Sequence, residues 1–155
     1  IRYPRGRGTV VDWKQPFSQL PIGKGIQLKK GSKIAVLSIG TMANTVEEAL
    51  LKCQLPGLFS HYDMKFIKPL DSQLLKTIFN THTEIITIEE GVISGGFGSA
   101  ISEFAALHNY ILPIKMLGVP DSFVEHASVK QQHQSSGIDV DSLKVLFDVT
   151  ALRLK

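Results

Sequence analysis

Short runs of apolar, β-branched residues alternate along this chain with segments whose apolar positions recur every three or four residues. The run at 34–39 ends at Gly40-Thr41, and the apolar residues that follow have helical spacing: Val46, Ala49, Leu50 and Cys53. This pattern predicts a strand, a turn and a helix. The same order of patterns repeats to the end of the chain.

The full pattern predicts an α/β fold. The predicted strands are 34–39, 61–67, 84–89 and 114–117, with 25–28 as a candidate edge strand. The predicted helices are one around 46–53, one capped by Asp71 that carries Leu74, Leu75, Ile78 and Phe79 on one face, one at 99–109, a short polar one at 128–136 that ends at Gly137, and a last one capped by Asp141 that carries Leu143, Leu146, Phe147 and Leu152. Strands that alternate with helices in this way imply right-handed crossovers. We therefore expect a mostly parallel, open sheet of about five strands with helices on both faces.

Three glycines lie between Glu89-Glu90-Gly91, at the end of the third predicted strand, and the helix that follows it. The strand ends in Glu89-Glu90-Gly91, and Gly95-Gly96-Phe97-Gly98-Ser99 comes next. The pattern predicts a tight connection in which the backbone makes the close contacts. It does not complete a dinucleotide fingerprint, because Ile101 stands three residues after Gly98, and no Lys-Ser/Thr pair follows to make a phosphate loop. A nucleotide site remains the alternative interpretation of this turn.

The acidic residues do not form a facing catalytic pair. Glu89 and Glu90 are adjacent on a strand, so their side chains point to opposite faces. We expect one of them to cap the following turn and the other to face solvent or a neighbouring element. Asp63 and Asp121 follow predicted strands, where capping or turn roles are expected.

The histidines are dispersed along the chain and are expected to be surface residues or satisfied core residues. They are His61, His82, His108, His126 and His133. His126 and His133 are seven residues apart, but two histidines alone supply fewer ligands than a zinc site needs.

The composition is that of one globular domain. The chain has 155 residues, of which 43% are apolar and 20% are charged. The single cysteine, Cys53, cannot form an internal disulfide, so we expect a free structural thiol and a reducing compartment. The apolar runs are too short to span a membrane, and the sequence does not open with a signal-peptide pattern. We therefore expect a cytoplasmic protein without a membrane partner.

Positive charge is concentrated at the start of the chain. Residues 1–33 carry eight Lys and Arg against Asp12 alone, whereas residues 34–155 carry nine against thirteen acids. Tyr3, Trp13 and Phe17 are interleaved with this basic arm, which leaves nucleic-acid contact as an alternative, but a nucleic-acid-binding motif does not follow. We expect instead a linker, or an arm that meets phosphate or the acidic surface of a neighbouring domain. The opening Ile-Arg-Tyr-Pro favours a piece of a longer protein.

Six motifs, taken in order, resemble the C-terminal part of the 1-deoxy-D-xylulose-5-phosphate synthases. They are Arg2-Tyr3-Pro4-Arg5-Gly6, Ser38-Ile39-Gly40-Thr41, the stretch from Asp63 to Asp71, Glu89-Glu90-Gly91, Gly95-Gly96-Phe97-Gly98-Ser99 and the stretch from Gly118 to Phe123. The resemblance covers essentially the whole chain. It departs from the family pattern at Met64-Lys65, where a small residue and Arg are usual, and at Ala127, where Gly commonly follows the His.

The resemblance implies a thiamine diphosphate and Mg²⁺ enzyme that decarboxylates pyruvate and joins the two-carbon unit to glyceraldehyde 3-phosphate. The product feeds isoprenoid, thiamine and pyridoxal biosynthesis. In that family the two preceding domains hold the cofactor and the activating Glu, so this chain would bind neither cofactor nor metal itself. Residues 1–30 would be a linker and the tail of the preceding pyrimidine-binding domain, and residues 31–155 the non-catalytic transketolase C-terminal domain. Its expected partners are the preceding domains of its own chain and, in the intact enzyme, a second copy.

Arg2 is the one site residue that the resemblance implies. It matches the family arginine that contacts the phosphate of glyceraldehyde 3-phosphate, and an arginine fork suits that task because it donates paired hydrogen bonds to phosphate oxygens. The alternative is that Arg2 ties the linker to a surface carboxylate. A second hypothesis for the whole chain is a regulatory module that binds a nucleotide or phosphorylated metabolite near Gly40-Thr41 and the turn Gly95–Ser99, where a helix N-terminus favours an anion.

Overall fold

One five-stranded sheet organises the chain, of which the computed structural model describes residue 16 and residues 18–154. The strands are β1 (Ile26–Lys29), β2 (Ile34–Ser38), β3 (Phe59–Asp63), β4 (Glu84–Val92) and β5 (Ile114–Val119). Their order in the sheet is β1-β3-β2-β4-β5, with β1 antiparallel to β3 and the other pairs parallel. The predicted mostly parallel open sheet, including its edge strand near 25–28, is confirmed.

Helices cover both faces of the sheet. They are α1 (Met42–Lys52), α2 (Ser72–Thr81), α3 (Phe97–Leu107), α4 (Val129–Ser135) and α5 (Val140–Leu152), with a short 3₁₀ turn at Pro56–Leu58. The apolar faces of α1 and α5 pack together on one side, and those of α2 and α3 pack on the other. None of the helices in the described part of the chain has the length and apolar character needed to cross a bilayer.

The central strand β2 explains why the two layers form. Every residue of β2 is buried, and alternate side chains point to opposite faces. Ile34 and Val36 contact the α1 and α5 side, whereas Ala35 and Leu37 contact the α2 and α3 side. Burial of each large aliphatic side chain contributes roughly 1.5 to 3 kcal/mol. A strand covered on both faces must therefore be apolar at nearly every position, as this one is.

Strand β3 lies earlier in the chain than the sequence predicts. The predicted strand was 61–67, but β3 spans Phe59–Asp63. The backbone turns immediately afterwards: Lys65 has a φ of 55°, and its amide donates to Asp63 Oδ1 at 3.2 Å. Phe66 and Ile67 are apolar, but they follow this turn and so leave the sheet. The predicted turn role of Asp63 is confirmed.

The helix boundaries give one confirmation and one correction. Asp71 caps α2 as predicted, because its Oδ1 accepts from the amide of Leu74 at 3.0 Å. The predicted cap of the last helix, Asp141, is wrong. Asp139 is the N-cap of α5, and its Oδ2 accepts from the Asp141 amide at 3.2 Å. A carboxylate two residues earlier therefore begins the helix, and Asp141 lies in its first turn.

The strand order places a switch point beside β2. The chain goes from β2 to β3 on one side and then to β4 on the other side of β2. The connections from the carboxyl ends of β2 and β4 thus diverge to opposite faces. In open α/β sheets, ligands or partner surfaces meet the fold at such a point.

Candidate functional site

Glu89 closes the turn between β4 and α3. Its side chain is 4% exposed, and its two carboxylate oxygens each accept a hydrogen bond from the first turn of α3. Oε2 lies 2.9 Å from the Phe97 nitrogen, and Oε1 lies 2.9 Å from the Gly98 nitrogen. These amides belong to the donors that a helix leaves without an intrahelical partner. The carboxylate therefore satisfies two of them and also carries the negative charge that a helix N-terminus favours.

The glycines of the turn are explained by this arrangement. A Cβ on Gly96 would collide with the Glu89 carboxylate and the Val92 carbonyl oxygen. A Cβ on Gly98 would lie 2.7 Å from Thr87 Oγ1 and 2.8 Å from Met116 Cγ. Both positions therefore favour glycine, because atoms of the sheet lie too close for a Cβ unless they shift. The prediction of a tight strand-to-helix connection is confirmed.

Ser99 completes the turn from the helix side. Its hydroxyl donates to the Ile93 carbonyl oxygen at 2.9 Å and accepts from the Gly95 amide at 3.0 Å. Gly95 has a φ of 73°, a left-handed conformation that glycine adopts without steric cost. The turn is therefore held by its own side chains.

This geometry weakens the hypothesis of a nucleotide or phosphometabolite site at the turn. A phosphate at a helix N-terminus needs free backbone N–H groups. Here the amides of Phe97 and Gly98 are buried and bonded to Glu89. An anion would have to displace a buried carboxylate from two hydrogen bonds. The position that a ligand phosphate takes in a nucleotide site is filled by a side chain of the protein.

Glu90 points to the other face and joins three elements. Its Oε2 accepts from Thr41 Oγ1 at 3.1 Å, at the start of α1. Its Oε1 lies 3.0 Å from Nε2 of His133 on α4. The prediction that one glutamate caps the turn and the other faces solvent or a neighbour is confirmed, with Glu89 as the cap. The cluster of Thr41, Glu90 and His133 lies at the switch point.

A buried serine–histidine pair lies between β2 and β3. Ser38 and His61 are both 0% exposed, and Ser38 Oγ is 2.8 Å from His61 Nε2. The same hydroxyl donates to the Tyr62 carbonyl oxygen at 3.3 Å, while Nδ1 of His61 is buried with no partner in the described structure. Burial, with a smaller contribution from the positive charge of Lys29, lowers the pKa of His61 to about 4. The pair is closed to solvent, so it acts in the core and not as a nucleophile.

The other polar candidates are distributed over the molecule. His82 is a satisfied core residue, as predicted for such histidines: its Nε2 lies 2.9 Å from Ser60 Oγ. Within the described residues, no group of three or more His, Cys, Asp or Glu is placed to hold a metal ion. Arg2, the site residue implied by the resemblance, lies outside the described residues. Sequence reasoning did not find the Ser38–His61 pair or the Glu90–His133 contact, since each joins residues far apart in the chain.

Comparison with known proteins gives one family profile over most of the chain. The profile of the transketolase C-terminal domain matches residues 23–143. The chain is 47% identical over 145 residues to a 1-deoxy-D-xylulose-5-phosphate synthase of Bacteroides thetaiotaomicron, an alignment that covers 92% of this chain and 22% of that protein. A synthase of the same name from Parabacteroides distasonis is 47% identical over 144 residues, which cover 92% of this chain and 23% of that protein. The chain thus spans less than a quarter of the length of these relatives.

A solved structure shows the same fold. It is described as a split gene transketolase, an inactive beta4 tetramer. The TM-score is 0.75 at 26% identity, and the match covers 84% of this chain and 43% of that chain.

Proposed function

Because the chain belongs to the transketolase C-terminal domain family, we propose that it is the C-terminal, non-catalytic domain of a thiamine-diphosphate-dependent synthase. The complete enzyme would condense pyruvate with glyceraldehyde 3-phosphate to 1-deoxy-D-xylulose 5-phosphate and serve isoprenoid and thiamine biosynthesis in the cytoplasm. The observation that carries the proposal is the 47% identity to synthases over 92% of the chain. Because the chain spans less than a quarter of those relatives, the reaction belongs to the longer protein.

The turn at the start of α3 does not offer a site for the diphosphate of thiamine diphosphate. A diphosphate needs free N–H donors or cationic side chains, but the N-terminal amides of α3 are bonded to Glu89. The described residues also do not bring together three metal-ligating side chains. We therefore assign cofactor and metal to the preceding domains of the complete synthase and derive no chemical step from this domain.

We propose a packing role for the domain. The outward side of α5 carries Val145, Val149 and Leu152, which are 59%, 53% and 56% exposed. Their spacing places them in one stripe along the helix. Such a stripe gives a preceding domain, or a second copy of the chain, an apolar surface to cover. This supports a domain that stabilises the assembly of a homodimeric enzyme.

The direct test compares the 155-residue chain with the complete synthase. Calorimetry with thiamine diphosphate and Mg²⁺ should detect binding to the complete synthase and none to the chain alone. Product formation from pyruvate and glyceraldehyde 3-phosphate should likewise be detected with the complete synthase and not with the chain alone. Micromolar cofactor binding by the isolated chain would overturn the domain assignment.

We also propose that Arg2 binds the phosphate of glyceraldehyde 3-phosphate in the complete enzyme. A charge-assisted hydrogen bond contributes about 1.5 to 3 kcal/mol, so Arg2→Ala should lower kcat/KM for this acceptor roughly 10- to 150-fold. The kcat/KM for an unphosphorylated acceptor should fall much less, and pyruvate binding should change little. An equal loss with the unphosphorylated acceptor, or an unchanged KM for glyceraldehyde 3-phosphate, would favour the alternative that Arg2 pairs with a surface carboxylate.

A further inference from the structure

The segment from Pro120 to Gly137, here called the α4 segment, joins β5 to α5 and lies on the surface. None of its residues is buried, whereas Gly118 before it and Ile138 after it are. Its loop and its helix leave between them an open hollow of about 400 Å³ that is lined by residues of the segment itself. The segment therefore contributes little to the apolar core.

Most hydrogen bonds of the α4 segment stay within it. Ser128 and Gln131 form a capping box at the start of α4. Gln132 Nε2 donates to the carbonyl oxygen of Glu125 at 3.1 Å. These bonds define the local shape, but they do not attach the segment to the sheet. A helix of seven residues is not stable in water without tertiary contacts.

The attachment is made by His133. Its Nε2 lies 3.0 Å from Glu90 Oε1, and in the described part of the chain this is the one side-chain hydrogen bond from the α4 segment to the rest of the domain. Glu90 is itself fixed by Thr41 Oγ1 at 3.1 Å. The contact therefore joins a weakly held helix to a defined position at the switch point of the sheet.

We propose that the His133–Glu90 contact is a latch that holds α4 folded against the carboxyl edge of the sheet. When the contact is broken, the α4 segment moves away from this edge and α4 unfolds, while the sheet and α5 keep their structure. Opening frees Glu90 Oε1, which bonds His133 in the closed form, for another partner at the switch point. The latch thus determines which groups this edge presents to another domain or molecule. The inference rests on the contacts within this chain and not on the proposed function.

Amide hydrogen exchange of the 155-residue chain, measured by NMR at one pH and temperature, tests the latch. The reporters are the amides of Gln132 and Ser136, which donate to the carbonyl oxygens of Ser128 and Gln132 within the α4 segment. Both His133→Ala and Glu90→Ala should accelerate their exchange about 2- to 10-fold, the effect of losing one hydrogen bond of ordinary net strength. The double variant should exchange no faster than the single ones, because both changes break the same contact. The Leu143 amide in α5 should be unaffected.

The control is Gln134→Ala, an exposed position next to His133. Alanine favours helix formation at either position, so Gln134→Ala should leave exchange unchanged or slow it. Any acceleration in His133→Ala then comes from the lost contact.

Three results would overturn the latch. The first is exchange of the α4 amides at wild-type rates in both single variants, or without protection already in the wild type. The second is additive effects in the double variant, since the two residues would then act separately. The third is equal acceleration of the Leu143 amide, because the contact would then stabilise the whole domain.

Discussion

Acid should destabilise this domain through His61. In the described structure one arrangement of hydrogens satisfies both bonds of the serine–histidine pair: Nε2–H donates to Ser38 Oγ, and the serine hydroxyl donates to the Tyr62 carbonyl oxygen. Nδ1 is then an unprotonated nitrogen. Protonation would place a positively charged N–H in the core without an acceptor. This is the physical reason why burial lowers the pKa of His61 to about 4.

The sign and size of the effect follow from linkage. In the unfolded chain His61 titrates near its ordinary pKa of 6.5, and in the folded chain near 4. Between these values the unfolded state binds more protons, so the free energy of unfolding falls as the pH falls. The pKa difference corresponds to a total change of about 3 kcal/mol in the free energy of unfolding. Lowering the pH from 7 to 5 should reduce the free energy of unfolding by about 2 kcal/mol. Above pH 6.5 His61 is mostly neutral in both the folded and the unfolded chain, so it no longer lowers the free energy of unfolding.

The assay is urea unfolding at several pH values between 7.5 and 4.5. His61→Gln removes the titrating group and keeps a side chain that can donate to Ser38. Its free energy of unfolding should change with pH by about 2 kcal/mol less than that of the wild type between pH 7 and 5. His126→Gln, at an exposed position, is the matched control for the change from histidine to glutamine. Equal pH dependence in His61→Gln and wild type, or an NMR titration of His61 near pH 6.5, would refute the reasoning.

Three further predictions concern the turn and the thiol. Glu89→Ala should lower the free energy of unfolding by about 2 to 5 kcal/mol in urea titrations, because two buried amides lose their acceptor; Glu89→Gln should cost less. Gly98→Ala should cost about 1 to 3 kcal/mol in the same assay, since its Cβ would lie 2.7 Å from a threonine oxygen, whereas Gly57→Ala meets nothing within 4 Å and should be near neutral. Burial raises the pKa of the Cys53 thiol, so an aromatic disulfide reagent should label it slowly in the folded chain and rapidly in urea; equally fast labelling in both states would contradict the buried position.

The sheet could be predicted from the sequence because its central strand is buried on both faces. Such a strand is apolar at nearly every position, and the predicted strand 34–39 differs from β2 (Ile34–Ser38) by one residue. The limits of β3 could not be predicted in this way. Phe66 and Ile67 continue the apolar pattern, but the left-handed conformation of Lys65 ends the strand before them. Apolar pattern alone does not reveal a turn that depends on one residue's conformation.

The candidate site could likewise be predicted from the sequence only in part. The capping role of one glutamate could be predicted, because adjacent strand residues point to opposite faces and a helix start follows. The identity of the cap, Glu89, depended on which face α3 covers. The contact between Glu90 and His133 joins residues 43 positions apart. A contact of that kind is set by the packing of the whole chain, and the local sequence carries no signal for it.

Because the Glu89 carboxylate binds the first amides of α3, the start of this helix does not need an anion from solution. A protein that leaves such a position to a bound phosphate gains stability in proportion to the logarithm of the ligand concentration. Here the counter-ion is covalently part of the chain, so its local concentration does not vary and no metabolite competes for it on equal terms. Starvation or abundance of phosphorylated compounds in the cell should leave this part of the domain equally well folded. The start of α3 is in this respect constant, and it does not itself supply a response to metabolite levels.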